Sequence, residues 1–476
     1  MSYGTKLIKN AAIYSIGTVG SKLLAFLLLP IFSFFLEKED LGLYDLVLTT
    51  IVLIVPLISF QLSDATFRWL LPADSTEEDK RKAVSSSFFL LLASTAVISA
   101  LFVVGIYWFE LNFGLYYLLM GVGAVYFPFI QQVVRGLGKN SLYAQAGIIN
   151  AATLVSFSAL FLIVLDWGLE GVFLATTLSY VFASLYAFWR GNVSSYISAK
   201  SVTLELGKEM LNYSYPLIPN ASSWWLTNSA NKFIILLMLG AEANGIYAIS
   251  SRFPAILTIL NSMFMLAWQD HAISEEEGKD QKGKGLKFAG DVFNRLVRIE
   301  LTLVVLFAFC SEPLVRIFIE QDYYTSWRYM PFLFMATAMS AFSAYIGAFY
   351  LKAKKTNRIF ITTTLGGFVN IIVTFALITQ IGLFAPAIGT LSGFGLVFFL
   401  RYRDSRSFYP FLVKENKLLM MLALCVASIT ISILNLGNWR YLLIVLSFVA
   451  LYLVNKDIID RLRQVVMARL RQAKTQ

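Results

Sequence analysis

Apolar runs of about 20 residues recur along this chain from near its first residue to near its last, separated mostly by short turns. A helix of about 20 residues crosses the ~30 Å hydrocarbon core of a bilayer. Fourteen such runs can be read: 10–36, 41–63, 84–107, 115–135, 141–165, 170–190, 211–239, 245–269, 288–310, 328–351, 358–379, 383–401, 417–435 and 440–455. Only 14% of the residues are charged, against about 25% in a soluble chain, too few to cover so apolar a core with a wettable surface. The fold class expected is an all-α integral membrane protein of about 14 transmembrane helices. Lys6 and Lys9 precede the first run, which extends to Leu36 without an A-x-A-like cleavage site. It reads as a retained first helix rather than a signal peptide.

The basic residues orient the chain. Segments on the N-terminal side of the runs hold 32 of the 39 Lys and Arg, the opposite loops hold four (Lys38, Arg316, Arg328, Arg440), and Lys22, Lys232 and Arg252 fall within runs. Cytoplasmic loops are the ones enriched in Lys and Arg, so both termini are expected in the cytoplasm and the protein in the cytoplasmic membrane. The same bias accounts for the net charge of +10. No basic soluble module exists to bind nucleic acid. Cys310, Cys425 and the single His271 build neither a disulfide framework nor a metal site. There is no G-x-x-x-x-G-K-[ST] loop, so no nucleotide cofactor is expected, and no catalytic arrangement points to an enzyme.

A short repeat organises the runs. Leu41-Gly42-Leu43-Tyr44 and Asn244-Gly245-Ile246-Tyr247 lie 203 residues apart with six runs between their starts. An even number of crossings gives two parallel units related by an axis along the membrane normal. The expected organisation is a six-helix lobe over 1–190, a cytoplasmic linker over 191–210, a second six-helix lobe over 211–401, two further helices over 402–455, and a basic amphipathic tail over 456–476. That tail sets Ile458, Ile459, Leu462, Val465, Val466 and Leu470 at helical spacing among arginines, the pattern of a helix lying on the inner leaflet.

Charges inside the runs carry the chemistry. A cation at a helix centre costs at least ~2.5–3.5 kcal/mol and normally faces a cavity. Lys22 sits 12 and 14 residues from the ends of its run, roughly 18–21 Å from either side, too deep to snorkel. Tyr14, Thr18 and Lys22, with Gly17 and Ser21 beside them, make one polar stripe. A diphosphate-binding lysine and a lysine paired structurally to a carboxylate both fit that stripe. In the seventh run Asn220, Trp224, Thr227 and Asn231 recur at i, i+4, i+7 and i+11, with Ser223 and Asn228 alongside and Pro216 and Pro219 ahead. Lipid satisfies no such row of amides, so this face lines water or protein. Trp224 and Trp225 suit stacking on sugar rings and equally suit packing. Lys232 and Arg252 lie roughly 10–12 Å deep, where snorkelling competes with a role in a cationic cavity for an anionic head group. Among acids, Glu300 is a candidate for ion coupling or for a local pair with Arg295 or Arg298. Asp64 is a second coupling candidate or the i, i+4 partner of Arg68, and Asp45 reads as interfacial.

Several stretches together resemble a known family. Leu41 to Val47, then Pro56-Leu57-Ile58-Ser59 and Gln61-Leu62 to Phe67-Arg68 are similar to Wzx-type polysaccharide and O-antigen flippases. So are Gln131-Gln132 leading to Arg135-Gly136-Leu137-Gly138-Lys139-Asn140, Asn231-Lys232-Phe233-Ile234 leading to Gly245-Ile246-Tyr247, and Tyr350-Leu351-Lys352 through Lys355-Thr356. The chain departs from the family at Asn231, where an acid commonly precedes the base. The resemblance covers nearly the whole chain and implies the superfamily of multidrug, oligosaccharidyl-lipid and polysaccharide exporters. With it come two six-helix lobes around a central cavity, alternating access, and outward transfer of undecaprenyl-diphosphate-linked oligosaccharides without ATP. It also implies a lipid-tail groove at spans thirteen and fourteen. The implied partners are the lipid-linked oligosaccharide, membrane lipids, and the polymerase and glycosyltransferases of the same pathway. On this reading Lys22, Lys232 and Arg252 hold the diphosphate, Asn220, Trp224, Asn228 and Asn231 contact the glycan, and Arg68 captures the head group at the cytoplasmic mouth. Two rivals stand beside it. One is a MATE-like exporter of small molecules, which for cationic substrates would call for more buried carboxylates. The other is a membrane glycosyltransferase or polymerase, which would call for longer outer loops.

Overall fold

The computed structural model describes the chain apart from residues 1–19, 22, 23, 25, 73, 74, 275–281, 354, 412–414, 435, 475 and 476; at some further positions, Asn220, Trp224, Thr227 and Asn228 among them, only the backbone is described. The described residues form sixteen α-helices and no strand. Contacts divide the chain into two units, Met1–Ala248 and Ile249–Gln476.

Unit 1 holds α1 (Leu28–Phe35), α2 (Lys38–Ser59), α3 (Leu62–Leu70), α4 (Glu77–Phe109), α5 (Gly114–Gly136), α6 (Asn140–Ala159), α7 (Gly168–Arg190), α8 (Leu204–Ser214), α9 (Leu217–Leu239) and the first turns of α10 (Ala241–Ser274). Local chemistry sets several boundaries. Thr76 accepts from the Asp79 backbone N–H while Asp79 accepts from Thr76, a reciprocal cap that starts α4. Pro216 caps α9, where its missing N–H costs no helical bond. A π-turn over Leu160–Val164 closes α6. The run expected over 41–63 is interrupted: α2 stops at Ser59 because Phe60 and Gln61 take left-handed dihedrals, with φ of 47° and 54°. That conformation is uncommon for non-glycine residues. The chain therefore changes direction before α3. Leu62, Ala65, Leu91, Phe129, Val133, Ala187 and Met210 pack a core around α3.

Unit 2 continues α10 and holds α11 (Lys282–Phe318), a 3₁₀ turn over Gln321–Arg328, α12 (Met330–Lys352), α13 (Thr356–Ile381), α14 (Phe384–Ser405), α15 (Glu415–Ser432) and α16 (Trp439–Lys474). Its core is aromatic: Trp268 stacks on Tyr345 at 4.2 Å, and Phe293, Phe342, Phe349, Phe398 and Phe411 close around them. α16 runs unbroken to Lys474, so the expected basic tail extends the last crossing instead of starting a new helix.

Eleven of the described helices are apolar and long enough to cross a membrane. They coincide with eleven of the fourteen runs. The remaining three runs fall on the largely undescribed N-terminal stretch, on α9, where the described residues Ser229–Leu239 form a shorter apolar stretch, and on α10; both helices hold side chains that are not described. These are the runs that carry Lys22, Lys232 and Arg252. α4, α15 and α16 expose Leu101, Tyr107, Trp108, Leu419, Leu424, Val445 and Leu453, an apolar surface far too large for water and suited to lipid.

Candidate functional site

The polar stripe of the seventh run lies on α9, and α9 runs alongside α2. The Trp225 indole N–H donates to the Thr49 carbonyl at 2.8 Å. Two turns further along α9, Lys232 Nζ sits 2.7 Å from Asp45 Oδ2, with both side chains mostly enclosed. Asp45 is thus enclosed by protein, and it pairs with a lysine for which the sequence left snorkelling and a cationic cavity both open. Asn231, next to it, is 4% exposed.

Beyond this pair the two repeat tetrads meet. A Cβ on Gly42 would collide with the carbonyl oxygen of Ala241, and a Cβ on Gly245 with that of Lys38. Each glycine therefore faces the residue four positions before the other, as expected of two equivalent segments related by a local two-fold. The backbones approach so closely that only glycine fits at either place. Asn244 Nδ2 donates to the Gly42 carbonyl at 2.9 Å, and Lys38 bonds Glu242 at 2.7 Å. Tyr44 is buried with its hydroxyl 3.0 Å from Thr176 Oγ1. The repeat was visible in the sequence; that its two copies pack on one another was not.

Other sequence-predicted residues are dispersed. Lys22 lies outside the described residues, and the side chains of Asn220, Trp224 and Asn228 are not described. Arg68 is exposed on α3, and no ion pair joins it to Asp64. The cation that Asp64 feels is Arg135, which opposes the upward push of desolvation on its carboxyl. Arg135 itself stacks over Phe67 at 4.2 Å. In unit 2, Arg252 is partly buried on α10. Glu300, 2% exposed, accepts from Asn261 Nδ2 at 3.3 Å. Neither expected arginine pairs with it among the described residues: Arg298 forms a two-pronged pair with Asp457 at 3.0 and 2.9 Å and donates to Val454 O at 2.9 Å, while Arg295 lines a cavity with Lys417.

Sequence reading also missed two enclosed arginines, both counted as loop cations. Arg401, 6% exposed, donates from Nε to Thr362 Oγ1 (3.0 Å) and from its terminal nitrogens to Ser343 O (3.0 Å), Ile359 O (3.3 Å) and Thr363 Oγ1 (2.8 Å). Arg440, 3% exposed, reaches Glu312 at 2.7 Å and lies over Trp327 at 4.7 Å. Both sit at run ends, where composition alone does not distinguish a buried arginine from a solvated one. No cluster of metal-ligating side chains occurs among the described residues.

A family model described as "Polysaccharide biosynthesis protein" matches residues 7–269. No curated protein sequence matches the chain significantly. Among solved structures, an inward-facing multidrug resistance MATE family transporter of the MOP superfamily aligns with a TM-score of 0.70 at 15% identity, over 81% of this chain and 94% of that one. The lipid II flippase MurJ in its inward closed conformation aligns with a TM-score of 0.70 at 14% identity, over 94% of this chain and 100% of that one. A MATE transporter in complex with MaL6 aligns with a TM-score of 0.61 at 17% identity, over 86% and 98%. At these identities the likeness is one of fold, and the all-helical membrane architecture read from the sequence is the one these structures share.

Proposed function

Because the chain belongs to the polysaccharide biosynthesis protein family, we propose that it flips a lipid-diphosphate-linked oligosaccharide, of the undecaprenyl type, from the inner to the outer face of the cytoplasmic membrane by alternating access, for cell-surface polysaccharide synthesis. The observation that carries the reading is the extent of the family match, whose residues 7–269 include Lys22, Lys232 and Arg252, the three cations expected at bilayer depth. Cations that deep need a reason, and phosphates supply one.

The charge bias sets the Arg68 end inside and the Lys38 end outside, with both termini cytoplasmic. Arg68 meets the head group first. Lys22, Lys232 and Arg252 then receive the diphosphate, and the amides and indoles of α9 contact the glycan. Asp45 keeps Lys232 neutralised while no substrate is present; a phosphate competes with that carboxylate for the ammonium, which couples loading to the loosening of the Gly42–Gly245 crossing. Glu300, enclosed and held by an amide, is the group on which a proton or cation acts to drive the cycle, with Asp64 as the second candidate.

The test is transfer in proteoliposomes holding an undecaprenyl-diphosphate oligosaccharide. Wild-type protein moves it, and Lys22→Ala or Lys22→Gln abolishes transfer while the protein remains membrane-inserted. Wild-type transfer by those variants removes Lys22 from the mechanism. The MATE-like fold keeps one rival in view, since its TM-score equals that of the flippase. Transport of an organic cation with no transfer of the lipid-linked sugar would make the chain a small-molecule exporter.

A further inference from the structure

The bend at Phe60 and Gln61 has a consequence at the Arg68 end of unit 1. It turns α3 so that Arg68 and Trp69 stand beside α8, and together with Pro72, Ser75, Asp79, Lys82, Leu206 and Tyr213 they line a cavity of 680 Å³. That size lies within the ~300–1,000 Å³ range of small-ligand sites. Consecutive left-handed non-glycine residues cost of order 1–3 kcal/mol each and persist where the surroundings hold them, often beside functional sites. Here they aim a cation and an indole into open space.

The lining has a definite chemistry. Trp69 and Tyr213 meet edge to face, ring centroids 5.5 Å apart at 77°, and offer apolar ring surface next to polar tips. Arg68 has no acid partner among the described residues, so its planar fork of donors is available to a phosphate or carboxylate. Lys82 adds a second positive charge, paired at i, i+4 with exposed Glu78, a kind of pair worth little in water, and also attracted by Asp79. Among the described lining residues the acid is Asp79, and it is committed to Thr76, whose hydroxyl and backbone N–H both donate to it. A ligand here meets aromatic faces and positive charge together, with the Asp79 carboxylate already engaged.

Building on the flippase reading, we infer that this cavity is a loading site that holds the sugar nearest the membrane before transfer. Trp69 and Tyr213 pack against the apolar face of a pyranose, and Arg68, with Lys82 behind it, binds an anion attached to that ring. The anion has two sources, the diphosphate linkage or an acidic group on the sugar itself, and one experiment separates them.

Full-length protein in nanodiscs is titrated with three water-soluble probes: citronellyl-diphosphate-N-acetylglucosamine, citronellyl diphosphate without sugar, and a glucuronic-acid disaccharide without phosphate. Wild-type protein is expected to bind the first at least tenfold more tightly than the second. Arg68→Gln and Tyr213→Ala are expected to weaken that binding about tenfold, while Arg68→Lys and Tyr213→Phe restore part of it. Tyr213 is an exposed side chain, so its removal leaves the fold in place, as an unchanged melting temperature would show. Preference for the glucuronic-acid probe assigns the anion to the sugar, and preference for the citronellyl-diphosphate sugar assigns it to the linkage; both support the site. Equal binding of the first two probes without preference for the glucuronic-acid probe, or no effect of either variant, overturns the loading site and leaves the flippase reading intact if the same protein still transfers lipid-linked sugar in proteoliposomes. Failure of wild-type protein both to bind and to transfer overturns the two together.

Discussion

Lys232 in unit 1 and Arg401 in unit 2 are both cations enclosed by protein, and they are satisfied in opposite ways. Among the described residues, Lys232 faces one carboxylate, Asp45, at 2.7 Å. Arg401 faces no acid in its described bonds; its guanidinium is shared among two threonine hydroxyls and two backbone carbonyls of α12 and α13. The first arrangement, in its described bonds, rests on a titratable carboxylate and is weakened when that group is protonated or displaced by another anion. The second spreads the charge over several neutral oxygens, none of which titrates, so it works as a fixed clamp. A movable contact and a permanent one can thus be built from similar charges, and the number and charge of the acceptors make the difference.

Asp45→Asn tests the first half and should have the largest effect. Removing one partner of a buried pair leaves an uncompensated charge, at about 3–5 kcal/mol, read as lost stability against denaturant in detergent. Adding Lys232→Met should restore most of the loss; equal losses in the single and double variants would mean the pair is not coupled. Arg401→Lys tests the second half. A lysine keeps the charge but cannot reach four acceptors in two directions, and about 2–3 kcal/mol should go with the lost charge-assisted bonds. An unaffected melting temperature would show that the clamp carries no stability.

Gly42→Ala forces a methyl group into the Ala241 carbonyl and should destabilise by about 1–3 kcal/mol. Gly245→Ala should do the same, and the double variant should cost less than the sum, because one displacement of the helices accommodates both. Simple additivity would show that the two glycines do not share one crossing. The smallest effect is expected from Glu242→Gln. Its pair with Lys38 is largely exposed on the glutamate side, and such pairs contribute about 0–1 kcal/mol; a larger loss would mean that this end of unit 1 is less solvated than its exposure implies.

Much of the architecture could be read from residues alone. The helical runs of α5 and α7 appear within two residues of their expected limits, and those of α4 and α6 at the expected places with one end displaced by six or seven residues, since run length and hydropathy are local properties. The bend at Phe60 and Gln61 was not legible, because neither residue is a glycine or proline and nothing in their identity marks a left-handed backbone. Arg401 and Arg440 were taken as loop cations because burial at a helix end depends on which helices stand beside it. Of the candidate site, the polar face of the seventh run and the depth of Lys232 were visible. Asp45 was not recognised as its partner, since it lies on α2, far away in the chain. For Glu300 the expected arginine partner is Asp457's instead, and only the packing of α11 on α10 and α16 assigns those bonds.

The membrane as solvent, the succession of apolar helices and the paired glycine motifs follow from the order of residues by itself, because each depends on stretches no longer than a helix matched to a bilayer of given thickness. Which cation meets which acceptor, where a helix bends, and that two distant glycines close on each other were decided by the tertiary structure. Those outcomes depend on atoms brought within a few ångströms by helices remote in the chain. Electrostatic and steric terms at that range vary too steeply with distance for sequence spacing to set them.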